Sequence, residues 1–329
     1  MTISRRRILT LATAAAALPA ASRLATAQAY PSRPLTMIVP FPAGGPLDTV
    51  ARLLAERMRP TLGQPVIIEN VAGANGSLGT TRAARATADG YTIIAGTVTT
   101  HVLIGALYNL QYDLLDDFTP IALLGQGPLI AVGKKAVPAD TLKALVAWLK
   151  ANPDTAMQGT AGVAAVEHIA GLLLQKQTGT KFHQVPYRGL APAMQDLLGG
   201  QIDVMLADAT TALPHLEGGR IKAYAVASKT RIKAAPKLPT TDEAGLPGFH
   251  VALWFGLWAP GGIAPDVQAL LSKATIAALA DPTMKQRLAD LGQEITPLEQ
   301  QTPAALYAYQ KAEIEKWWPI IREAGIKAE

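Results

Sequence analysis

Short apolar runs that end in glycine-rich turns, each followed by a helical pattern, recur along this chain and restrict it to an α/β architecture. Residues 35–41 read as a strand that runs into Pro42-Ala43-Gly44-Gly45-Pro46. The spacing of Val50, Leu53, Leu54 and Met58 then predicts a helix from Pro46 to about Arg59, with proline suited to its first turn. Residues 66–70 predict a second strand, a turn from Gly73 to Gly79 opens another helix, and residues 91–96 predict a third strand. Strands separated by helices form parallel, doubly wound sheets. The pattern restarts with a strand at 129–132, helices near 140–150, 165–177 and 191–198, and strands near 202–206 and 222–227. Beyond Trp254 the chain turns mainly helical, with Pro319 interrupting the last helix. Two such α/β units predict a bilobed protein with a cleft between the lobes.

Charge has to be read separately in the N-terminal segment. Residues 1–29 contain Arg5, Arg6, Arg7 and Arg23, with no lysine or acidic residue. Without these four arginines the formal charge of +5 falls to +1, and a phosphate-backbone binder carries a clear basic excess. No nucleic-acid role is expected. The basic start, the apolar stretch 8–21 and the small-residue site Ala27-Gln28-Ala29 predict a cleaved secretory signal, with Tyr30 the first mature residue. Ser4-Arg5-Arg6-Arg7-Ile8-Leu9 fits the twin-arginine pattern; a general secretory signal is the alternative. No later run approaches the ~18 apolar residues of a membrane span. The chain has no cysteine, which removes disulfides, thiolate metal sites, cysteine nucleophiles and a lipid-anchor thiol. These features predict a soluble periplasmic protein.

No catalytic constellation emerges. His101, His168, His183, His215 and His250 lie outside any H-E-x-x-H arrangement. Asn75-Gly76-Ser77-Leu78-Gly79 lacks the first glycine of a nucleophile elbow. Gly73, Gly76 and Gly79 do not have phosphate-loop spacing, and Asp116-Asp117 reads as a solvated turn or helix cap. No metal or cofactor is expected.

What the sequence does contain is a set of loops suited to anions. Phe41-Pro42-Ala43-Gly44-Gly45 joins a strand end to a helix start, where unpaired N–H groups and the helix dipole can hold a carboxylate without lysine or arginine. Three loops share that position: Gly73 to Gly79, Gly96 to Thr100, and Gly159 to Ala165. Each read alone is also an ordinary glycine-rich turn.

The strings VPFPAGGPLDTVARLLAERM, ENVAGANGSLGT, GTVTTHVL and YDLLDDFTPIALL, followed in order by HQVPYRGLAPAMQDLLGGQIDVMLAD, LPTTDEAGLPGF, WFGLWAPGG and AEIEKWWPIIREAG, resemble the landmarks of the Bug-type family. These are the extracytoplasmic solute receptors of tripartite tricarboxylate transporters, and the resemblance spans essentially the whole mature chain. It implies a bilobed, type II-like periplasmic-binding-protein fold, with residues 30–128 and 251–329 in lobe 1 and 129–250 in lobe 2. It also implies capture of a small organic acid by backbone N–H groups and ordered waters, and membrane transporter subunits as partners.

Matched position by position, the resemblance implies a pocket of Phe41, Ala43, Gly44, Asp48, Ser77, Thr97 and Thr99 from the first lobe. The second lobe supplies Gly162, Val163, Ala164, Ala165, His168, Tyr187 and Asp208, and Trp254 lies on the returning strand. Asp48 is equally suited to cap its helix, and Ser77, Thr97 and Thr99 are equally plain N-caps. His168 suits packing or capping at its helix start, and Trp254 suits the core. Two departures matter: Val163-Ala164-Ala165 replaces small polar residues, and the family's aspartate after its V-M-F type strand falls on Ala207, one place before Asp208. Both point away from amino-dicarboxylates and citrate-like ligands toward an apolar or aromatic carboxylate. The expected protein is a monomeric receptor, not an enzyme. A periplasmic sensor engaging a membrane signalling protein, and an enzyme acting on a small acid, are the alternatives.

Overall fold

The computed structural model describes residues 30–323 and 325; the secretory signal expected over 1–29 lies outside the described residues. The first strand, β1 (Leu35–Val39), is buried at every position but Thr36. Helix α1 (Pro46–Leu62) follows, and its Val50, Ala51, Leu54 and Met58 recur at helical spacing and are buried. It runs one turn beyond the expected end and stops where Gly63 adopts φ 69° and donates its N–H to the Arg59 carbonyl, a left-handed cap that glycine adopts without strain. Strand β2 (Val66–Asn70), helix α2 (Ser77–Ala84) and strand β3 (Thr92–Thr97) complete the unit. The three strands are parallel, with Met37 opposite both Ile68 and Ile93. A four-residue helix, α3 (Val98–His101), leaves the end of β3.

Next comes β4 (Phe118–Lys134), 17 residues long where the sequence predicted only 129–132. The Gly125-Gln126-Gly127-Pro128 segment that resembles a turn lies inside this strand. Its glycines answer a close approach: a Cβ at Gly125 would sit 2.5 Å from the Glu294 carbonyl oxygen. That carbonyl belongs to β10 (Glu294–Ile295), paired antiparallel with β4.

Four more strands and four helices follow: α4 (Leu142–Ala151), β5 (Met157–Thr160), α5 (Val166–Thr178), β6 (His183–Pro186), α6 (Leu190–Leu198), β7 (Val204–Asp208), α7 (Ala209–Glu217) and β8 (Ile221–Val226). The chain returns on β9 (Ala252–Pro260) and ends in α8 (Pro265–Ala280), α9 (Pro282–Asp290), β10 and α10 (Pro303–Glu323). Pro319 is held within α10 rather than ending it; the bond it forgoes lies one turn from the helix end, where it costs least.

The α/β fold stands, but the sheet is mixed rather than purely parallel. Its strand order is β2-β1-β3-β9-β4-β7-β5-β6, with β8 and β10 also on β4. β9 runs antiparallel to both β3 and β4, and β4 antiparallel to β7 and β8. β4 thus serves two halves, pairing with β9 as far as Pro128 and with β7 and β8 from Leu129 onward. Three segments meet at that change: Leu129 N–H donates to Val251 O (3.0 Å), Val251 N–H to Ala227 O (3.0 Å), and Ala227 N–H to Leu129 O (2.8 Å).

In the first half's core His101 stacks on Trp258, ring centroids 3.8 Å apart. Gly96 makes room for that imidazole, because an added Cβ would overlap it. Burial holds the His101 pKa at about 3, so the ring is neutral.

Candidate functional site

The loop after β1 is braced from below. Asp48, in the first turn of α1, accepts hydrogen bonds from Gly44 N–H (2.9 Å), Arg52 Nε (2.9 Å) and Asn70 Nδ2 (2.9 Å). Asn70, at the end of β2, also donates to the Phe41 carbonyl at 3.0 Å. Burial opposes ionisation of Asp48, but the bonds from Arg52, Gly44 and Asn70 together hold its carboxyl below the ordinary value. Its carboxylate is therefore committed to holding the Phe41–Gly45 loop in shape.

Opposite this loop stand the β5–α5 and β6–α6 turns. Gly162 (φ 135°) and Ala164 (φ 76°) both occupy the left-handed region, which costs the alanine about 1 kcal/mol. Bare glycines let the two sides touch. Asn75 occupies the space where a side chain at Gly162 would go, and a Cβ at Gly189 would sit 3.0 Å from the Pro42 ring. Val166 N–H donates to Thr99 Oγ1 at 3.3 Å, so the two sides are also hydrogen-bonded.

Between them lies a cavity lined by Phe41, Pro42, Gly45, Pro46, Leu47, Thr97, Thr99 and Leu253 on one side, and by Ala161, Glu167, Gly189, Leu190 and Ala191 on the other. The walls leave only about 30 Å³ for the centres of water molecules, room for roughly one or two waters. None of the lining residues is a lysine or arginine, and most are apolar.

Three long helices begin at this cavity: α1, α5 and α6. Their N-cap residues are Gly45, Ala165 and Gly189, and none makes a side-chain cap bond. By contrast α4, α7 and α9, which start elsewhere, are capped by Thr141, Asp208 and Asp281. Helices α2 and α8 also lack side-chain caps, so the distinguishing feature is the convergence on one apolar space of three starts without a side-chain N-cap, that of α5 having its first N–H bonded to Thr99. Open first-turn N–H groups and the positive ends of helix dipoles favour an anion.

Of the residues expected from the sequence, Phe41, Thr97 and Thr99 line the cavity. Thr97 also caps α3, its hydroxyl accepting from Thr99 N–H at 3.2 Å. Ala43 and Gly44 are exposed on the outer side of their loop, and Ser77 is half-buried at the start of α2. Gly162, Val163, Ala164 and Ala165 shape the turn into α5 without lining the cavity; Ala161 lines it instead. His168 faces back to Ala164, whose N–H points at Nδ1 from 3.5 Å. Tyr187 donates its hydroxyl to Asp196 at 2.7 Å, and burial with that bond pushes its pKa up to about 12. Asp208 caps α7 through Thr210 N–H (2.9 Å) and accepts from Gln293 Nε2 at 3.0 Å, fully buried away from the cavity. Trp254 points to the opposite face of β9, where its indole donates to Glu313 at 3.2 Å; its neighbour Leu253 faces the cavity, as strand alternation requires.

Glu167 was absent from the expected set. It sits in the first turn of α5, 2% exposed, and its Oε2 has no hydrogen-bond partner. Burial pushes its pKa up to about 8; its own N–H opposes the rise and the charge of Asp208 adds to it. Burial likewise raises Asp208 to about 6, against the bonds from Gln293 and Thr210. In the sequence, a glutamate at a helix start is indistinguishable from an ordinary dipole-complementing residue.

Among the described residues, no cluster of three or more histidine, aspartate or glutamate side chains could hold a metal ion, and no helix is long and apolar enough to cross a membrane.

Residues 50–326 match the family model of the tripartite tricarboxylate transporter family receptor. The solved structure of the periplasmic binding protein BugD is similar at TM-score 0.88 and 40% identity, covering 91% of this chain and all of BugD. MatC from Rhodopseudomonas palustris, solved with bound malate, is similar at TM-score 0.85 and 39% identity, covering 89% of this chain and all of MatC. Rpa4515 from R. palustris, solved with adipate, is similar at TM-score 0.87 and 31% identity, covering 91% of this chain and 99% of that one.

Proposed function

The chain belongs to the tripartite tricarboxylate transporter receptor family, solute-binding receptors rather than enzymes, and from that premise we propose that it captures a small carboxylate with an apolar body in the periplasm. The ligand closes two lobes, residues 30–128 with 251–329 and residues 129–250, and the closed form is presented to the membrane subunits of a tripartite transporter. The observation that carries this reading is the convergence of the uncapped starts of α1, α5 and α6 on a cavity otherwise walled by Phe41, Leu47, Ala161, Leu190 and Leu253. Helix starts meet the carboxylate through backbone N–H groups, and the apolar walls meet the rest of the molecule. Malate in MatC and adipate in Rpa4515 are both small carboxylates, and adipate has the apolar body expected here.

Within the cleft, Phe41, Thr97 and Thr99 contact the ligand, and Asp48 with Asn70 keeps the Phe41 loop in register. Because the cavity is nearly filled by its own walls, entry requires the two sides to part. A ligand then favours closure only through contacts available in the closed state.

Thermal unfolding of residues 30–329 against aliphatic, aromatic and hydroxylated mono-, di- and tricarboxylates tests the reading. A ligand at ~100 times its Kd adds about 2.7 kcal/mol, a shift of several degrees. Stabilisation by adipate or an aromatic acid above that by citrate supports it. Stabilisation by citrate or aspartate alone would refute the apolar ligand class, and loss of uptake in a deletion strain identifies transport.

A further inference from the structure

Glu167 is the one acidic side chain on the cavity wall, in a site otherwise arranged for anions. It is 2% exposed, and its Oε2 is without a partner. A buried carboxylate oxygen with no protein donor is destabilised as an anion. Among the described residues, no cation acts on it. From β7 comes Asp208, the charged group acting on it, also buried. Strand β5 contributes Gln158, whose amide donates to the Glu167 carbonyl at 3.0 Å rather than to its carboxyl. On β6, His183 is exposed and bonded to the Asp154 carbonyl, and His168, on α5 itself, faces back to Ala164. Across the cleft, His101 is stacked on Trp258.

An ionised Glu167 would therefore oppose every anionic ligand, and it would add a second buried negative charge near that of Asp208. A protonated Glu167 reverses the effect, because it then carries a hydroxyl donor on a residue that lines the cavity, and an O–H···O⁻ bond belongs to the strong class. Building on the reading of the cleft as a carboxylate site, we propose that Glu167 is a specificity residue that holds a proton in the ligand complex and shares it in a hydrogen bond with a ligand carboxylate oxygen, so that binding is linked to the protonation of Glu167. The proton stays on Glu167; where the free protein has lost it, binding takes one up from solvent. Burial, which raises the free side chain to about 8, keeps that proton in place at neutral pH, so the donor is preformed.

The test uses the mature chain and adipate as probe. Calorimetric titrations at pH 6–9.5, in buffers of different ionisation enthalpy, measure Kd and proton uptake together. For the wild type the expected Kd is flat below about pH 8 and weakens by roughly tenfold per unit above it, with uptake approaching one proton. Glu167→Gln, which keeps a donor but cannot titrate, should bind adipate with little pH dependence and no uptake. In parallel, ¹³C-carboxyl NMR of labelled glutamate in the ligand-free wild type should show one resonance titrating well above the others and missing from E167Q. A Glu167 resonance already ionised at pH 6, or adipate binding without proton uptake at pH 9, overturns the proton-linked role and leaves the carboxylate receptor intact. Failure of adipate and every other acid to bind at any pH overturns the receptor reading, and this inference with it.

Discussion

Thr99 and Val166 are bonded across the cleft, the amide at the start of α5 donating 3.3 Å to the threonine hydroxyl. The same N–H would otherwise be among the open donors of a helix start. Thr99 thus satisfies that donor from within the protein. The side chain that bridges the two walls also lines the cavity.

Thr99→Val keeps the shape and removes the acceptor. Its expected effect is a loss of about 1 kcal/mol in the closed state, a roughly fivefold weaker Kd, with Thr99→Ser restoring affinity. Titration calorimetry gives the affinity and small-angle scattering the closed fraction. An unchanged Kd in the valine variant would refute the role of this bond.

Removing Asp48 should act through the loop it braces. Asp48→Ala leaves Gly44 N–H and Asn70 without their acceptor and costs about 2–3 kcal/mol, read as a Tm lower by several degrees. Its carboxyl lies below the ordinary value when folded, so its contribution is present above the unfolded pKa and lost as pH falls through the folded one. The variant should therefore differ from wild type at pH 7 and converge with it in strong acid.

Gly96→Ala places a methyl group against the buried His101 ring. Overpacking of this kind costs about 1–3 kcal/mol, and chemical denaturation should show a lower midpoint with an unchanged slope. Wild-type stability would mean that the His101–Trp258 stack moves aside freely.

Stability of the ligand-free protein should fall as pH rises from 6.5 to 8. Glu167 is raised when folded, to about 8 from 4.5, so in this window the folded state holds a proton that the unfolded chain has released. Each such unit costs about 1.4 kcal/mol, roughly 2 kcal/mol over the window. His101, depressed to about 3 from 6.5, acts in the opposite sense and mainly below that range. Glu167→Gln should flatten the alkaline fall, checked by urea midpoints at several pH values.

The sequence made the helices and parallel strands of the first half legible because apolar period and glycine punctuation agreed there. It did not reveal the full length of β4, since Gly125-Gln126-Gly127-Pro128 carries turn residues for a tertiary reason, the approach of β10. Within the site, Phe41, Thr97 and Thr99 were accessible through loop position. Leu253 was not, because choosing between it and Trp254 requires knowing which face of β9 meets the cleft, and size alone favours the tryptophan. Asp48 shows a related limit: an acidic residue beside an anion loop looks like a contact residue until its partners Gly44, Arg52 and Asn70 are seen. Glu167 carries no local signal at all, because burial by distant segments creates its chemistry.

The continuity of β4 through both halves has a mechanical consequence. With one pleated ribbon running from Phe118 to Lys134, the walls of the cavity are not joined by a slack tether along this path. On the proposed reading, parting them would bend this hydrogen-bonded ribbon where its partners change, at Pro128. The proposed ligand would then be the latch that holds the two walls together.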